Sequence, residues 1–147
     1  MRGRNGGQDG LTLIELVIVL AIIAIIGAVL VPNFLLTTDK ARLKGDIQSA
    51  RVMQSAITLY NAEQAEVLKG DMGSMLKSLH ESGYIKEVGS DGTQTSGAKW
   101  IYGAPAHGGD ESVLVDISGC DNPKVKGDIF AGLSDDEKKW VVGGSGD

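Results

Sequence analysis

Cysteine is almost absent from this chain, because Cys120 is the only one among 147 residues. A single cysteine cannot close an intrachain disulfide. Packing, a bound metal or neighbouring chains must therefore hold together whatever domain folds here. We expect Cys120 to be a small, partly buried side chain rather than a reactive or metal-binding thiol.

Sequence features of catalysis and of nucleic-acid binding are also missing. The two histidines, His80 and His107, lie in different segments without a metal-ligand spacing. No glycine-rich loop is placed to hold phosphate, and no arrangement of serine, histidine and aspartate marks a nucleophile. The formal net charge is −5, whereas a nucleic-acid-binding surface needs a basic patch. We therefore expect neither an enzyme nor a nucleic-acid-binding head.

Charge is absent from residues 16–36, a run of 21 residues. As a helix this run would be roughly 32 Å long, which is enough to cross the hydrocarbon core of a membrane. A single carboxylate, that of Glu15, stands immediately before it. Because a charge at the edge of a membrane helix is costly, an ionisable group there predicts a functional partner.

Residues 1–10 are polar and contain two arginines, Arg2 and Arg4. A secretory signal peptide has its apolar stretch before the small residue at the cleavage site. Here the order is inverted, because Gly10 precedes the apolar run. Cleavage after Gly10 would leave the membrane helix on the mature protein. The two arginines predict a cytoplasmic N-terminus and an exported remainder.

This N-terminal arrangement resembles that of the type IV pilin-like family, which comprises type IV pilins and the pseudopilins of type II secretion and of competence. One departure is Leu11, where family members usually carry phenylalanine. A plain signal-anchor helix would need neither a glycine nor a glutamate at this spacing. The matching features are Gly10 at the cut, Leu-Thr-Leu-Ile-Glu at 11–15, the apolar helix, and Val31-Pro32-Asn33 near its end.

The resemblance implies that prepilin peptidase cuts after Gly10 and N-methylates Leu11, whose amine stays a cation. In a filament of staggered helices, Glu15 of one subunit would meet the Leu11 amine of a neighbour. Pairing removes most of the cost of burying either charge, and it would give assembly a check on register. The alternative leaves Glu15 at the lipid headgroups.

Pro32 predicts a weak point in the apolar helix. A proline inside a helix removes one hydrogen bond and clashes with the carbonyl four residues earlier, here that of Ala28. Together with Gly27, it makes residues 27–32 the expected site of a kink, or of local melting when the subunit leaves the bilayer for the filament. A proline tolerated in a membrane helix is the alternative.

The helical pattern continues beyond the apolar run but becomes one-sided. The simplest prediction is one continuous helix from about Thr12 to about Leu68, ended by Gly70 and Asp71. Charged residues, Asp46 among them, are expected on the faces away from the core. Apolar residues at helical spacing form one face, which we expect to be the core of a head domain: Leu43, Ile47, Ala50, Met53, Ile57 and Tyr60.

The remaining sequence predicts an α+β fold, in which a small antiparallel sheet packs on the amphipathic half of the long helix. The polar segment 88–99 predicts an exposed loop. The predicted elements are a helix at 74–79 capped by Ser74, strands at 99–102 and 112–117, a short helix starting at Ser134 and a final strand at 140–142.

Hard oxygen ligands for calcium lie close to glycines in the C-terminal part. The major pseudopilin of type II secretion resembles this chain and uses a C-terminal calcium site. The spacing here matches no calcium-loop signature, so we expect a solvated acidic surface without metal or other cofactor, and calcium binding is the alternative. The residues concerned are Asp110, Glu111, Asp116, Asp121, Asn122 and Asp128.

Three parts are expected: a cleaved leader at 1–10, a transmembrane and filament-core helix at 11–36, and an exported head at 37–147. The resemblance implies a structural subunit of a type IV pilus, first a single-pass precursor in the cytoplasmic membrane with its head outside, then part of an extracellular or periplasmic homo-oligomeric filament. The implied partners are prepilin peptidase, an assembly ATPase and a platform protein. The alternatives are a pseudopilin of a type II secretion or competence pseudopilus and, from another class, a monomeric membrane-anchored binding protein.

Overall fold

The computed structural model describes residues 12–65, 67–86, 92–105 and 110–144, without the side chains of residues 32 and 33. The chain divides after Leu35 into an N-terminal unit and a second unit, here called the head domain. In chain order the elements are α1 (Leu13–Gln64), α2 (Met72–Glu81), β1 (Lys99–Gly103), β2 (Ser112–Asp116), a π-helical turn (Val125–Ile129), α3 (Asp135–Lys138) and β3 (Val141–Val142).

The N-terminal unit is the first part of α1, and its apolar side chains are exposed. The large hydrophobic side chains described between Leu13 and Leu35 range from 48% exposed at Val19 to 81% at Leu13. Among the described residues, α1 is the one helix long and apolar enough to cross a membrane, judged by length and composition alone. The structure therefore agrees with the predicted apolar helix.

Helix α1 ends at Gln64, four residues before the predicted end at Leu68. The next residue, Ala65, has a φ of 51°, which lies in the left-handed region and stops an α-helix. The side-chain oxygen of Asn61 then accepts a hydrogen bond from the amide of Leu68 at 2.7 Å. This bond turns the chain back onto the last turn of the helix, so that Leu68 is buried beside it.

The core of the head domain lies on the predicted face of α1. Leu43, Ile47 and Ile57 are at most 1% exposed, and Tyr60 packs against the same cluster at its edge. Burying such a side chain contributes about 1.5–3 kcal/mol relative to leaving it in water. The prediction of this core is confirmed. The residues that cover it from the other elements are Met75, Leu76, Leu79, Val113, Val115, Ile117, Val125, Ile129, Phe130, Leu133 and Val141.

The sheet has three strands in the order β1-β2-β3. Strands β1 and β2 are antiparallel, as predicted, with Trp100 opposite Val115. The final strand is also present, but it pairs parallel to β2, with Val141 beside Val115. A parallel pair needs a long crossover connection, and the π-helical turn and α3 lie in that connection.

Both short helices are capped, one of them differently from the prediction. Helix α2 begins after Asp71, whose Oδ2 accepts the amides of Gly73 and Ser74 at 3.0 and 3.2 Å. The predicted cap, Ser74, instead donates its hydroxyl proton to Asp71 Oδ1 at 2.6 Å. Asp71 is the cap because it stands immediately before the first residues of the helix, whose amides have no partner within the helix. For α3 the predicted cap, Ser134, is confirmed.

Candidate functional site

The N-terminus of α1 carries the side chains predicted to guide assembly. Glu15 Oε2 accepts hydrogen bonds from the amide and the hydroxyl of Thr12, each at 2.8 Å. The amide of Glu15 in turn donates to Thr12 Oγ1 at 3.3 Å. This is a reciprocal capping box, which satisfies backbone donors at the start of a helix. The sequence signal for this capping box is a threonine three residues before a glutamate. The capping box is not among the features predicted from the sequence.

The cap orients the carboxylate of Glu15 without using it up. Both bonds from Thr12 reach Oε2, whereas an ionised carboxylate has two oxygens that can each accept hydrogen bonds. Glu15 also lies in the first turn of α1, where the helix dipole favours negative charge. The site is thus an oriented, exposed carboxylate that can bind a cation brought to it by another molecule.

The other predicted N-terminal site residues are only partly covered. Gly10 and Leu11 lie outside the described residues, so cleavage and N-methylation stay predictions. Helix α1 continues through positions 27–32, and the side chain of Pro32 is not described. The kink and the local melting at this segment therefore also stay predictions.

The surface that follows Glu15 is apolar on every side of the helix. The consecutive residues Val17, Ile18 and Val19 are each about half exposed, although successive side chains of a helix point about 100° apart. A helix that is hydrophobic all round belongs in lipid or inside a bundle of helices. The N-terminal unit can therefore contact lipid, other helices, or each in turn.

In the head, two of the side chains considered for calcium, those of Asp116 and Asn122, form hydrogen bonds with nearby polar groups. Asp116 Oδ1 accepts the amide of Ser118 at 2.9 Å, and Asn122 Nδ2 donates to Asp39 at 2.8 Å. Within the part of the chain that the structure describes, no three His, Cys, Asp or Glu side chains are grouped to hold a metal ion. Calcium binding remains an untested alternative.

Asp46 contradicts the prediction that the charged residues of α1 lie away from the core, because it is 0% exposed. Its Oδ1 and Oδ2 accept the backbone amides of Gln94 at 2.6 Å and Thr95 at 2.9 Å. Two backbone donors stabilise a carboxylate that would otherwise be too costly to bury. Thr95 is itself only 3% exposed, so the prediction of an exposed loop is wrong at this residue.

Two ion pairs fasten the C-terminal segment to α1. Lys44 Nζ lies 2.8 Å from Glu137 Oε1, and Arg51 Nη2 lies 2.6 Å from Asp136 Oδ2. The Arg51 guanidinium also stands over the ring of Trp140, 5.5 Å from its centroid. The hydrogen bond from Lys44, helped by the amide of Ser134, lowers the pKa of Glu137 to about 2.

Of the cysteine and the two histidines considered in the sequence, Cys120 and His80 lie among the described residues. Cys120 is a free thiol, 4% exposed, and is thus more deeply buried than the partly buried side chain that the sequence predicts. Burial raises the pKa of its thiol. His80 Nδ1 lies 3.3 Å from the carbonyl oxygen of Ile85. His107 lies outside the described residues.

Comparison with known proteins adds independent findings. Residues 5–31 match the family model described as the prokaryotic N-terminal methylation motif. Prepilin peptidase-dependent protein A of Clostridium perfringens is 41% identical over 63 residues, which are 43% of this chain and 45% of that protein. The match thus spans less than half the length of that relative.

A second relative is similar over more of its length. Type II secretion system core protein G of Klebsiella michiganensis is 25% identical over 99 residues, which are 60% of this chain and 70% of that protein. No solved structure matches the chain. The motif and the two relatives confirm the predicted resemblance to the type IV pilin-like family. A long N-terminal helix followed by a small three-stranded sheet is consistent with the fold of that family.

Proposed function

Starting from this pilin-like resemblance, we propose that the chain is a structural subunit of a type IV pilus filament and not an enzyme. It is made as a prepilin, cleaved after Gly10, N-methylated at Leu11 and assembled through α1. The observation that supports this most directly is the charge-free, exposed N-terminal part of α1, headed by the oriented carboxylate of Glu15.

The exposed apolar surface fits two successive environments. In the cytoplasmic membrane, lipid covers the segment at 11–36 and the head at 37–147 lies outside. In the filament, neighbouring α1 helices replace the lipid. Lipid tails are as apolar as the side chains they touch, so helix packing gains no hydrophobic free energy over the bilayer. Extraction therefore needs an external source of work, and an assembly ATPase acting through a platform protein supplies it in this proposal.

Glu15 has a different partner at each stage of this proposal. Before assembly, Thr12 donates to Glu15 Oε2 within the same subunit. In the filament, the methylated amine of Leu11 from a neighbouring subunit binds the same carboxylate. A buried charge left without a partner costs several kcal/mol. A subunit docked in the wrong register would leave both charges unpaired, and it would be rejected.

A pseudopilin is the second candidate function. It is favoured by the similarity to type II secretion system core protein G, because this match covers 70% of that relative. A head with a single cysteine is also compatible with a pseudopilin. In this alternative the same helix builds a short filament of a secretion or competence system, and the roles of Gly10, Leu11 and Glu15 are unchanged.

Crosslinking in the native membrane tests the proposal. Leu13→Cys combined with Leu16→Cys, in a Cys120→Ser background, places thiols near the helix start on α1. A ladder of disulfide-linked oligomers beyond the dimer is expected for a filament. Monomers alone would contradict the proposal and favour a membrane-anchored binding protein. Electron microscopy at native expression then separates the two filament types, because only a pilus extends well beyond the cell surface.

A further inference from the structure

Residues 93–98, here called the strap, pack against the segment 119–121. Gly97 has a φ of +79°, and an added Cβ there would collide with the carbonyl oxygen of Gly119 and lie 2.9 Å from Cys120 Cα. At the neighbouring position, Ser96 Oγ donates to Asp121 Oδ2 at 3.0 Å. The strap thus lies directly on the backbone of Cys120, a residue that is 4% exposed.

One side chain of α1 holds the start of the strap. Asp46 accepts the amides of Gln94 and Thr95 with its two carboxylate oxygens, at 2.6 and 2.9 Å. The preceding residue, Gly45, lies against the Gln94 side chain, whose Oε1 would be in ordinary contact, 3.4 Å from a Cβ at that position. These two amides come from consecutive residues, so both bonds break together when the strap leaves α1.

The side chain of Thr93 forms hydrogen bonds within the strap. The hydroxyl of Thr93 lies 3.1 Å from the carbonyl oxygen of Thr95 and 2.8 Å from that of Ala98. Within the described part of the chain, Thr95 Oγ1 is buried and has no hydrogen-bond partner. A buried hydroxyl without a partner costs free energy that hydration recovers. The closed strap therefore carries a free-energy penalty at Thr95, which opening relieves. The hydrogen bonds of Thr93 lie within the strap, so the turn that they hold can persist when the strap opens.

We propose that residues 93–98 are a latch that opens as a unit when the two hydrogen bonds to Asp46 break, exposing Cys120 while the rest of the head stays folded. The carboxylate of Asp46 holds this latch closed. Because Asp46 lies on α1, a change in the helix at Gly45 and Asp46 is transmitted to the strap and, through it, to Cys120. The head thereby has a second, locally open state, distinct from global unfolding.

The labelling rate of the single thiol measures this opening. Full-length protein in detergent is reacted with a thiol-specific reagent at fixed pH. Asp46→Asn replaces one acceptor oxygen by an NH₂ group that faces a backbone amide. Because hydrogen bonds to a charged acceptor are among the strongest, we expect labelling to accelerate roughly tenfold or more. The matched control is Asp116→Asn, which likewise removes a charge that raises the pKa of the Cys120 thiol but leaves both hydrogen bonds from Asp46 to the strap in place. It should leave the labelling rate nearly unchanged.

The dependence on urea separates local from global opening. A local opening exposes little surface, so the labelling rate of Cys120 should rise only slightly with urea concentration. If labelling required global unfolding, the labelling rate would rise steeply with urea concentration. Wild-type-like labelling of Asp46→Asn, or a steep urea dependence, would overturn the proposal.

Thr95→Val provides a second test that does not weaken the fold. It replaces the unpaired hydroxyl by a methyl group of similar shape, so the closed strap is favoured and labelling of Cys120 should slow several-fold. An unchanged or faster rate in this variant would also contradict the latch. The test remains informative even if Asp46→Asn fails to fold.

Discussion

Glu15 caps its own helix through Thr12. The carboxylate accepts the amide and the hydroxyl of Thr12 at the same oxygen, each at 2.8 Å. The residue proposed to recognise a neighbouring subunit is therefore already oriented within its own chain. Its orientation and its charge are separable, because the first depends on Thr12 and the second does not.

Glu15→Ala is expected to be cleaved and inserted normally, yet to fail to form filaments when it is the sole subunit. The reason is that the cationic amine of an incoming subunit would be buried without its partner. Sheared-filament yield is the measurement.

Thr12→Val is the control for the capping box. It keeps the charge and removes the hydroxyl of a cap that contributes about 0.5–2 kcal/mol. It should reduce filament yield without abolishing it. Equal loss in both variants would mean that the cap, and not the charge pair, accounts for the defect.

Processing is expected to remove ten residues. Gly10 is the small residue before the apolar run, and residues 5–31 match the N-terminal methylation motif. The intact mass of protein extracted from membranes should correspond to a chain that starts at Leu11 and carries one extra methyl group. A chain beginning beyond Leu30 would be a released head, and it would end the pilin interpretation. Deleting the prepilin peptidase gene should restore the full-length mass.

Local sequence signals predicted much of this structure. The core face of α1 follows from apolar residues at helical spacing, and the cap of α3 follows from Ser134 standing three residues before Glu137. The capping box at Thr12 and Glu15 has the same kind of signal. These features depend on the spacing of residues along a single helix, so the sequence alone contains their cause.

The features that could not be predicted depend on distant partners. Asp46 is buried because its hydrogen-bond donors, the amides of Gln94 and Thr95, lie 48 and 49 residues away. A single carboxylate on a helix gives no sign of such donors. The parallel pairing of β3 likewise arises from a contact between Val115 and Val141 across the sheet, and strand direction is not encoded in a two-residue strand.

Ile57→Asp should severely destabilise the head domain. Ile57 is 1% exposed in the core, and an unpaired charge there has no hydrogen-bond partner. The matched control is Val52→Asp on the same helix, because Val52 is 63% exposed and its substitution should change stability by less than about 0.5 kcal/mol. Urea unfolding of the full chain in detergent measures both. Similar midpoints for the two variants would contradict the observed core.

The Lys44–Glu137 ion pair should stabilise the head at neutral pH and fail in acid. The pKa of Glu137 is lowered to about 2 from an ordinary 4.5. The stabilisation is therefore fully present above about pH 4.5, and it disappears as the pH falls towards 2. We compare the urea midpoints of wild type and Lys44→Met from pH 7 to 2. Their difference should be constant above about pH 5 and vanish near pH 2; a difference independent of pH would exclude the pair as its cause.

Calcium is expected to leave the melting temperature of the head unchanged. Among the described residues, no three His, Cys, Asp or Glu side chains are grouped to hold a metal ion, and Asp116 Oδ1 already accepts the amide of Ser118. A ligand that binds only the folded state must raise the melting temperature. The test compares millimolar calcium with chelator, with magnesium as the control for ionic strength. A calcium-specific rise of many degrees would reveal a site and favour the pseudopilin alternative.

The parallel strand β3 sets an order of events during folding of the head. The amide of Val115 donates to the carbonyl oxygen of Trp140 at 2.8 Å, and that of Ile117 donates to Val142 at 3.0 Å. A ribosome makes these acceptors after every other described element. Until they are made, one edge of β2 has backbone donors without partners and is open to wrong pairing. The folding of the head therefore depends on the synthesis of residues 140–142, and a chain truncated before them keeps this edge of β2 open.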